Sequence, residues 1–264
     1  MSAPCGPRPA HVLITADAVG GVWTYAADLA SGLLALDVAV TLAVLGPSPT
    51  PDQVAALGGH PRLALIDTGL PLDWLEDDPR RLAAGARALA ALARSVGADL
   101  VHLNSPALAA DAGFGAPVVG ACHSCLATWW DTVRGGAMPV PFRQRTVRLA
   151  RGYAACDQLL APSRAFAAAT AERYRVRPAS VHNGRAAGGR SPDAAPKEPF
   201  VLTSGRLWDA AKNLAALDRA ATRMRGRVEA AGSLVGPTGE GVCAEAIETL
   251  GRLDEAALTE RLNR

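Results

Sequence analysis

The amino-acid sequence predicts an α/β protein built from two Rossmann-like, doubly wound domains, the second of them incomplete. Short apolar runs alternate with longer helical patterns, which is typical of parallel sheets covered by helices on both faces. A glycine- and proline-rich segment interrupts this alternation, which then restarts. We therefore predict an N-terminal Rossmann-like domain over residues 1–185, a linker over 186–199 and a partial C-terminal Rossmann-like domain over 200–264.

The N-terminal domain is predicted from seven short runs that each read as a buried strand. In order, they are His11–Thr15, Val38–Leu45, Leu63–Asp67, Asp99–Leu103, Pro117–Ala121, Gln158–Ala161 and Ala179–His182. Between them, apolar residues recur at helical spacing in Val22–Leu36 and again in Pro79–Val96, where proline stands at the first turn. Such strand–helix alternation predicts a parallel sheet.

The pattern resumes after the predicted linker, whose composition is set by Gly188-Gly189, Pro192, Pro196 and Pro199. The C-terminal segment is predicted to contain three strands and two helices. These are Phe200–Thr203, Val228–Gly232 and Glu248–Leu253, with helices over Asn213–Met224 and Asp254–Arg264.

Composition narrows the function classes. The 264 residues are 49% hydrophobic with a net charge of +2, which gives no sign of a nucleic-acid binder. The first ten residues lack the apolar core of a signal peptide, and no apolar run reaches about 18 residues, so no membrane span is expected. Five scattered cysteines favour a reducing, cytoplasmic location. One basic run reads as a solvated helix face, with an acidic acceptor or peripheral contact to an anionic membrane surface as the alternatives: Arg143, Arg145, Arg148 and Arg151.

The segment after the first predicted strand of the C-terminal domain is the strongest candidate site. The strand ends at Ser204-Gly205, Arg206 follows at once, and Lys212 precedes a helical pattern. A strand that passes through a glycine turn into a helix offers unpaired N–H groups to an anion. Lysine occurs only at positions 197 and 212. We predict a diphosphate-binding site.

Gly20-Gly21 follows the first strand of the N-terminal domain and opens the first helix. Adjacent glycines allow a ligand to approach the backbone, although a plain tight turn explains them as well, and the G-x-G-x-x-G fingerprint is absent. His123 ends another predicted strand, at the edge where open α/β sheets bind ligands. Its alternative role is that of a loop or core histidine.

Cys122-His-Ser-Cys125 also spells a C-x-x-C motif, which leaves a redox dithiol or a zinc site open as alternatives. Ser163-Arg164 and His182-Asn183-Gly184 are turn signals that could also line a cleft. His102 is expected to be structural.

These segments together resemble the retaining nucleotide-sugar glycosyltransferases of the GT-B architecture, the group of family 4 type that contains sucrose and glycogen synthases. The resemblance covers nearly the whole chain. It rests on motifs in the family's order: Gly20-Gly21-Val22, Asp99–His102, His123-Ser124, Ala161–Arg164, Val181–Gly184, Ser204–Leu207 and Lys212-Asn213.

The resemblance implies transfer of a sugar from a nucleotide-sugar donor to an unidentified acceptor, with retention and without a metal or other cofactor. It implies that Arg206 and Lys212 bind the donor diphosphate and stabilise the leaving group. It further implies that His123 contacts the donor sugar near the reacting carbon and that the Gly20-Gly21 loop approaches phosphate or acceptor.

The sequence departs from the family in its second domain, where members carry two glutamates eight positions apart after the fourth strand. This chain ends before that segment. Glu240 and Glu248 have the spacing but precede it, so we reject them as the pair. We accordingly expect weak or no transferase activity from the chain as written. The alternatives are a non-catalytic remnant that binds an acceptor or partner, and a sugar-nucleotide epimerase.

Overall fold

A computed structural model describes residues 8–185, 197–236 and 239–264 of the chain. The protein folds as two compact units, residues 1–186 and 187–264, called unit 1 and unit 2 below. Most of the predicted linker, including Gly188-Gly189, Pro192 and Pro196, lies outside the described residues.

Unit 1 contains a seven-stranded parallel sheet in the order β3-β2-β1-β4-β5-β6-β7. This confirms the predicted α/β class and doubly wound sheet. The order reverses between β1 and β4, where such sheets open a crevice at their carboxyl ends. The strands are β1 His11–Asp17, β2 Ala39–Leu45, β3 Leu63–Leu70, β4 Leu100–Leu103, β5 Val118–Ala121, β6 Gln158–Ala161 and β7 Ala179–Ser180.

The strands form because their apolar runs bury side chains on both faces of the sheet. In β1, Val12 and Ile14 pack with the first helix on one face, while Leu13 packs on the opposite face with the cluster around Leu89. β1 pairs with β2 in unbroken register from His11 opposite Ala39 onward. One strand without alternating polarity therefore supplies two core layers.

Six helices cover the sheet of unit 1 in the part of the chain that the structure describes. They are α1 Gly21–Leu34, α2 Pro51–Ala55, α3 Pro79–Ser95, α4 Leu126–Val133, α5 Val140–Ala155 and α6 Arg164–Tyr174. α3 shows why the pattern folds as predicted. Asp78 caps its first turn, Pro79 occupies the first helical position, and Leu82, Ala86 and Leu89 face the core. None of the described helices is both long and apolar enough to cross a bilayer.

The basic run lies on α5, and three of its arginines face carboxylates of unit 1. Arg145 contacts Asp77 at 2.8 Å, and Arg151 contacts Asp111 at 3.3 Å. Arg148 also pairs with Asp111. These ion pairs leave less unpaired charge for an anionic surface, and membrane contact stays a prediction.

Unit 2 contains a three-stranded parallel sheet in the order β10-β9-β8, with β8 Phe200–Ser204, β9 Arg227–Ala231 and β10 Glu248–Gly251. It carries α7 Leu214–Ala221 and α8 Glu255–Asn263. The helix predicted over 213–224 is therefore shorter. A single 3₁₀ turn, Ala210–Lys212, precedes it because Asn213 adopts a left-handed conformation that separates the two.

A buried carboxylate joins the sheet of unit 2 to α8. Glu229 on β9 is fully buried, and its Oε1 atom lies 2.9 Å from Arg227 Nε and 3.2 Å from Arg261 Nη1. Its Oε2 atom has no hydrogen-bond partner in the described part of the chain. A buried charge needs its counter-ions, so α8 is held in place partly by electrostatics.

We predict that Arg261→Ala loosens α8 and β9. Loss of one of two counter-ions to a buried carboxylate is expected to cost about 1–2 kcal/mol, less than for a fully buried pair because water reaches both arginines. Hydrogen exchange measured by mass spectrometry is expected to rise in peptides from α8 and β9. Arg252→Ala, at an exposed arginine, is the control; equal exchange in both variants would contradict the assignment.

Candidate active site

Side chains from β4, β5 and α1 meet at the carboxyl edge of the unit 1 sheet. His123 Nε2 lies 2.7 Å from Asn104 Oδ1, and the Tyr25 hydroxyl lies 3.2 Å from His102 Nε2. Tyr25 also meets the His123 ring edge-on, with centroids 4.5 Å apart. The backbone N–H of Asn104 donates to Thr15 Oγ1 at 2.8 Å. This group, Thr15, Tyr25, His102, Asn104 and His123, is called the histidine cluster below.

Burial sets the charge of the histidine cluster. Burial lowers the pKa of His123 to about 4. It also lowers the pKa of His102 to about 4, with a further lowering by nearby His123 and an opposing effect of the hydrogen bond to Asn104. Burial raises the pKa of Tyr25. At neutral pH both imidazoles and the phenol are therefore uncharged, which suits hydrogen bonding to hydroxyl groups.

The cluster opens into a cleft of about 440 Å³ that lies wholly within unit 1. This volume is in the usual range for small-molecule sites. His123 and Asn183 both line it, and so do Asp28 of α1 and Arg185, which form an ion pair at 3.2 Å. The cleft walls are otherwise largely apolar: Leu29, Leu33, Leu36, Leu160, Pro162 and Val181.

The other predicted cleft residues behave differently. The Ser163 hydroxyl accepts a hydrogen bond from Phe166 N and caps α6, and Arg164 is the first residue of that helix. Neither lines the cleft. These two residues, predicted as possible cleft residues, therefore lie at the start of α6.

Gly20 and Gly21 stand at the uncapped N-terminus of α1. Neither has a positive φ, and a Cβ atom added at either would meet no atom within 4 Å. The fold therefore does not need glycine at these positions for steric reasons. The open space above them leaves the first N–H groups of α1 accessible to a ligand.

In unit 2, Lys212 folds back over the turn that ends β8. A Cβ atom added at Gly205 would lie 3.5 Å from Lys212 Cε and 4.0 Å from its Nζ. Gly205 has a backbone φ angle of 143°, which residues other than glycine rarely adopt. The lysine and the glycine turn, seven positions apart in the sequence, thus form one local structure.

Arg206 has a counter-ion that the sequence reasoning did not foresee. Its Nη2 atom lies 3.0 Å from Asp209 Oδ2, and its guanidinium lies 5.6 Å from the centre of the Trp208 ring. Asp209 Oδ1 also accepts from Ala211 N and caps the 3₁₀ turn. Asp209 therefore orients Arg206 and partly offsets its charge.

A second glycine supports this turn. A Cβ atom added at Gly232 would lie 1.9 Å from the Gly205 carbonyl oxygen, closer than atoms can approach. Gly232 also has a φ of 145°. The ends of β8 and β9 can pack this closely only because Gly232 has no Cβ atom.

The two cysteines of the C-x-x-C motif are buried. Burial raises the pKa of Cys122 to about 11, which makes its reactive thiolate scarce at neutral pH. Cys125 Sγ accepts from Thr128 N at 3.3 Å and caps α4. Among the described residues no three histidine, cysteine or acidic side chains could together hold a metal ion. The structure thus does not favour the redox and zinc alternatives.

Sequence reasoning missed several residues of these sites. Tyr25 and Asn104 carried no motif, and Asp209 was not singled out. Asp73 was not singled out either. Burial and, to a smaller extent, nearby Asp17 raise the pKa of Asp73, while a hydrogen bond from Ser105 lowers it. A polar residue two positions beyond His102, directly after β4, was the one available signal for Asn104.

Comparison with known proteins identifies the family to which this chain belongs. The model of Glycosyltransferase Family 4 matches residues 19–185, more than half of the chain, and the protein belongs to that family. No curated protein sequence matches the chain.

Solved structures share its fold. LpCGTa in complex with UDP is 19% identical, with 95% of this chain and 72% of that chain covered and a TM-score of 0.59. Arabidopsis thaliana UGT89C1 complexed with quercetin is 16% identical, with 96% and 71% covered and a TM-score of 0.53. A Polygonum tinctorium UDP-glucosyltransferase capable of glucosylating indoxyl is 12% identical, with 87% and 66% covered and a TM-score of 0.52. At these identities the likeness establishes the GT-B fold alone.

We predict that the stability of unit 1 falls between pH 6.5 and about 4. In this window the unfolded chain takes up protons on His102 and His123 while the folded chain does not, so the free energy of unfolding decreases as the pH drops. Each ring is expected to account for about 1 kcal/mol between pH 7.5 and 5.5. Urea unfolding at the two pH values measures the loss.

His123→Gln is expected to remove about half of this pH-dependent loss. His60→Gln, at an exposed histidine, is the matched control and should leave it unchanged. Asp73, whose raised pKa acts in the opposite direction, is common to all these proteins and cancels in the comparison. An unaltered pH dependence in His123→Gln would mean that the ring is not buried in its neutral form.

Proposed function

We propose that this protein transfers a sugar from a nucleotide-sugar donor to an acceptor, with retention of the anomeric configuration. Membership of Glycosyltransferase Family 4 supports sugar transfer. The observation that carries the proposal for this chain is the turn after β8, where Lys212 lies over Gly205 and Arg206 follows directly. That arrangement suits an anionic group with several oxygens.

Unit 2 is proposed to hold the donor diphosphate. Breaking the bond between sugar and diphosphate leaves additional negative charge on the departing phosphate. Fixed cations therefore favour the transition state over the bound substrate. Lys212 supplies a point charge that is not ion-paired in the part of the chain that the structure describes. Arg206 can keep its contact to Asp209 and still donate to phosphate, because a guanidinium carries five N–H groups.

Unit 1 is proposed to act on the sugar and the acceptor. The neutral His123 ring in the cleft is suited to a hydrogen bond with a sugar hydroxyl, without a charge that would need a counter-ion. Gly20-Gly21 is proposed to let a phosphate or acceptor approach the N-terminus of α1. Asn183, which also lines the cleft, is proposed to contact bound ligand.

Product stereochemistry tests the retaining mechanism. The purified chain is incubated with UDP-, TDP- and GDP-sugars and a panel of phenolic and sugar acceptors, and the product anomer is assigned by proton NMR before it equilibrates. Retention is expected. An inverted product would overturn that part of the proposal, and nucleotide-sugar binding without turnover would favour a non-catalytic binding module. Interconversion of donor sugars without an acceptor would favour an epimerase.

We predict that Arg206→Ala and Lys212→Ala each lower turnover roughly 100-fold, in line with about 3 kcal/mol lost when one group that stabilises developing charge is removed. Nucleoside diphosphate affinity, measured by calorimetry, should fall in both variants. Arg219→Ala, at an exposed arginine of α7, is the control for general loss of positive charge in unit 2. Unchanged affinity and turnover in Arg206→Ala and Lys212→Ala would refute the phosphate-binding role.

A further inference from the structure

The histidine cluster contains one amide whose orientation is fixed by chemistry alone. Asn104 Nδ2 lies 2.5 Å from the backbone oxygen of Thr15. A carbonyl oxygen only accepts hydrogen bonds, so the atom of Asn104 that faces it must be the nitrogen. The other amide atom, Oδ1, is therefore the one that lies 2.7 Å from His123 Nε2.

This orientation determines which ring nitrogen of His123 carries the proton. An amide oxygen cannot donate, so Nε2 must be the donor in the short contact with Asn104. A neutral imidazole has one N–H group, which leaves Nδ1 with a lone pair. No hydrogen bond to Nδ1 is present among the described residues. We infer that Asn104 is a positioning residue that holds His123 in the Nε2–H tautomer and so leaves Nδ1 as a hydrogen-bond acceptor for a ligand hydroxyl.

The surrounding contacts support a fixed ring rather than a mobile one. Tyr25 meets the His123 ring edge-on at 4.5 Å, which restrains its rotation. The Asn104 backbone is held by Thr15 Oγ1 at 2.8 Å, so the amide is anchored to β1 through both its main chain and its side chain. Asn104 Oδ1 has two lone pairs, and the hydrogen bond between Asn104 and His102 is compatible with the one to His123.

The tautomer determines the direction of the hydrogen bond that a ligand hydroxyl can make with His123. A hydroxyl that approaches His123 from the cleft must act as the donor, because the ring's one N–H is already used by Asn104. The inference rests on the proposed function only for the identity of that hydroxyl, which belongs to a donor sugar or an acceptor alcohol. The tautomer itself is a property of unit 1.

The test is nitrogen-15 NMR of the full chain labelled at histidine, recorded at pH 7.5. Two-bond proton–nitrogen spectra distinguish a pyrrole-like from a pyridine-like ring nitrogen, and signals of His123 are assigned by their loss in His123→Gln. His182, exposed and without a ring hydrogen bond in the described residues, gives the intrinsic tautomer ratio in the same spectrum. His123 is expected to show a population of the Nδ1–H form several-fold below that of His182.

Asn104→Leu removes the acceptor, and the Nδ1–H population of His123 is expected to rise several-fold towards the ratio of His182. Asn104→Ala serves if the leucine variant does not fold. Thr15→Val is the matched control, because it removes a hydrogen bond to the Asn104 main chain and keeps the amide contacts; the His123 ratio should not change.

A wild-type His123 in the Nδ1–H form, or a ratio unaffected by loss of the Asn104 amide, would overturn the inference. These outcomes are separate from a failure of the proposed function. Absence of sugar transfer together with an Nε2–H His123 would reject the transferase activity and leave the positioning role of Asn104 intact.

Discussion

The pairing of β1 with β4 at the centre of the unit 1 sheet is the constraint on which the candidate site depends. The two strands run in register through Ile14 and His102. Beyond this point Asn104 continues the hydrogen bonding between the two strands. Its backbone N–H donates to the Thr15 hydroxyl, and its side-chain Nδ2 donates to the Thr15 backbone oxygen. The amide therefore replaces sheet hydrogen bonds at the edge where the strands separate. It also carries an acceptor into the opening that this separation creates.

Burial explains why these groups are uncharged and why they must be paired. Removing His102 and His123 from water disfavours their protonated forms, since a buried charge without a counter-ion is costly. Neutral imidazoles still need partners for one N–H each, and Asn104 and Tyr25 supply contacts to them. Unit 2 differs, because it places two basic side chains, Arg206 and Lys212, beside one turn. There, Asp209 compensates Arg206 and sets its position.

The sequence predicted the parts of the fold that depend on local pattern. Continuous apolar runs located the strands of both units, and Pro79 located the start of α3, because burial and the fixed backbone angle of proline act locally. Contacts between distant residues could not be predicted in this way. Tyr25 lies in the middle of a helix and reaches His102, 77 positions away, because the crossover from β1 to β2 lays α1 beside the sheet. No local pattern encodes that meeting.

The turn after β8 shows the same limit at short range. Glycine, arginine and lysine in this order led us to predict an anion site, but their geometry depends on residues that the sequence pattern did not single out. Asp209 caps the 3₁₀ turn and holds Arg206, and left-handed Asn213 ends the turn before α7 begins.

The fold constrains glycines to different degrees in the two units. Gly232 is required by its own fold, since any side chain would overlap the Gly205 carbonyl, and Gly205 has a backbone conformation that favours glycine. Gly20 and Gly21 have no such requirement: their φ angles are ordinary and the space above them is empty. Contacts and backbone angles within unit 2 therefore explain the glycines at positions 205 and 232. For Gly20 and Gly21, neither a clash nor a backbone angle makes glycine necessary, so the fold of unit 1 would tolerate a side chain at either position.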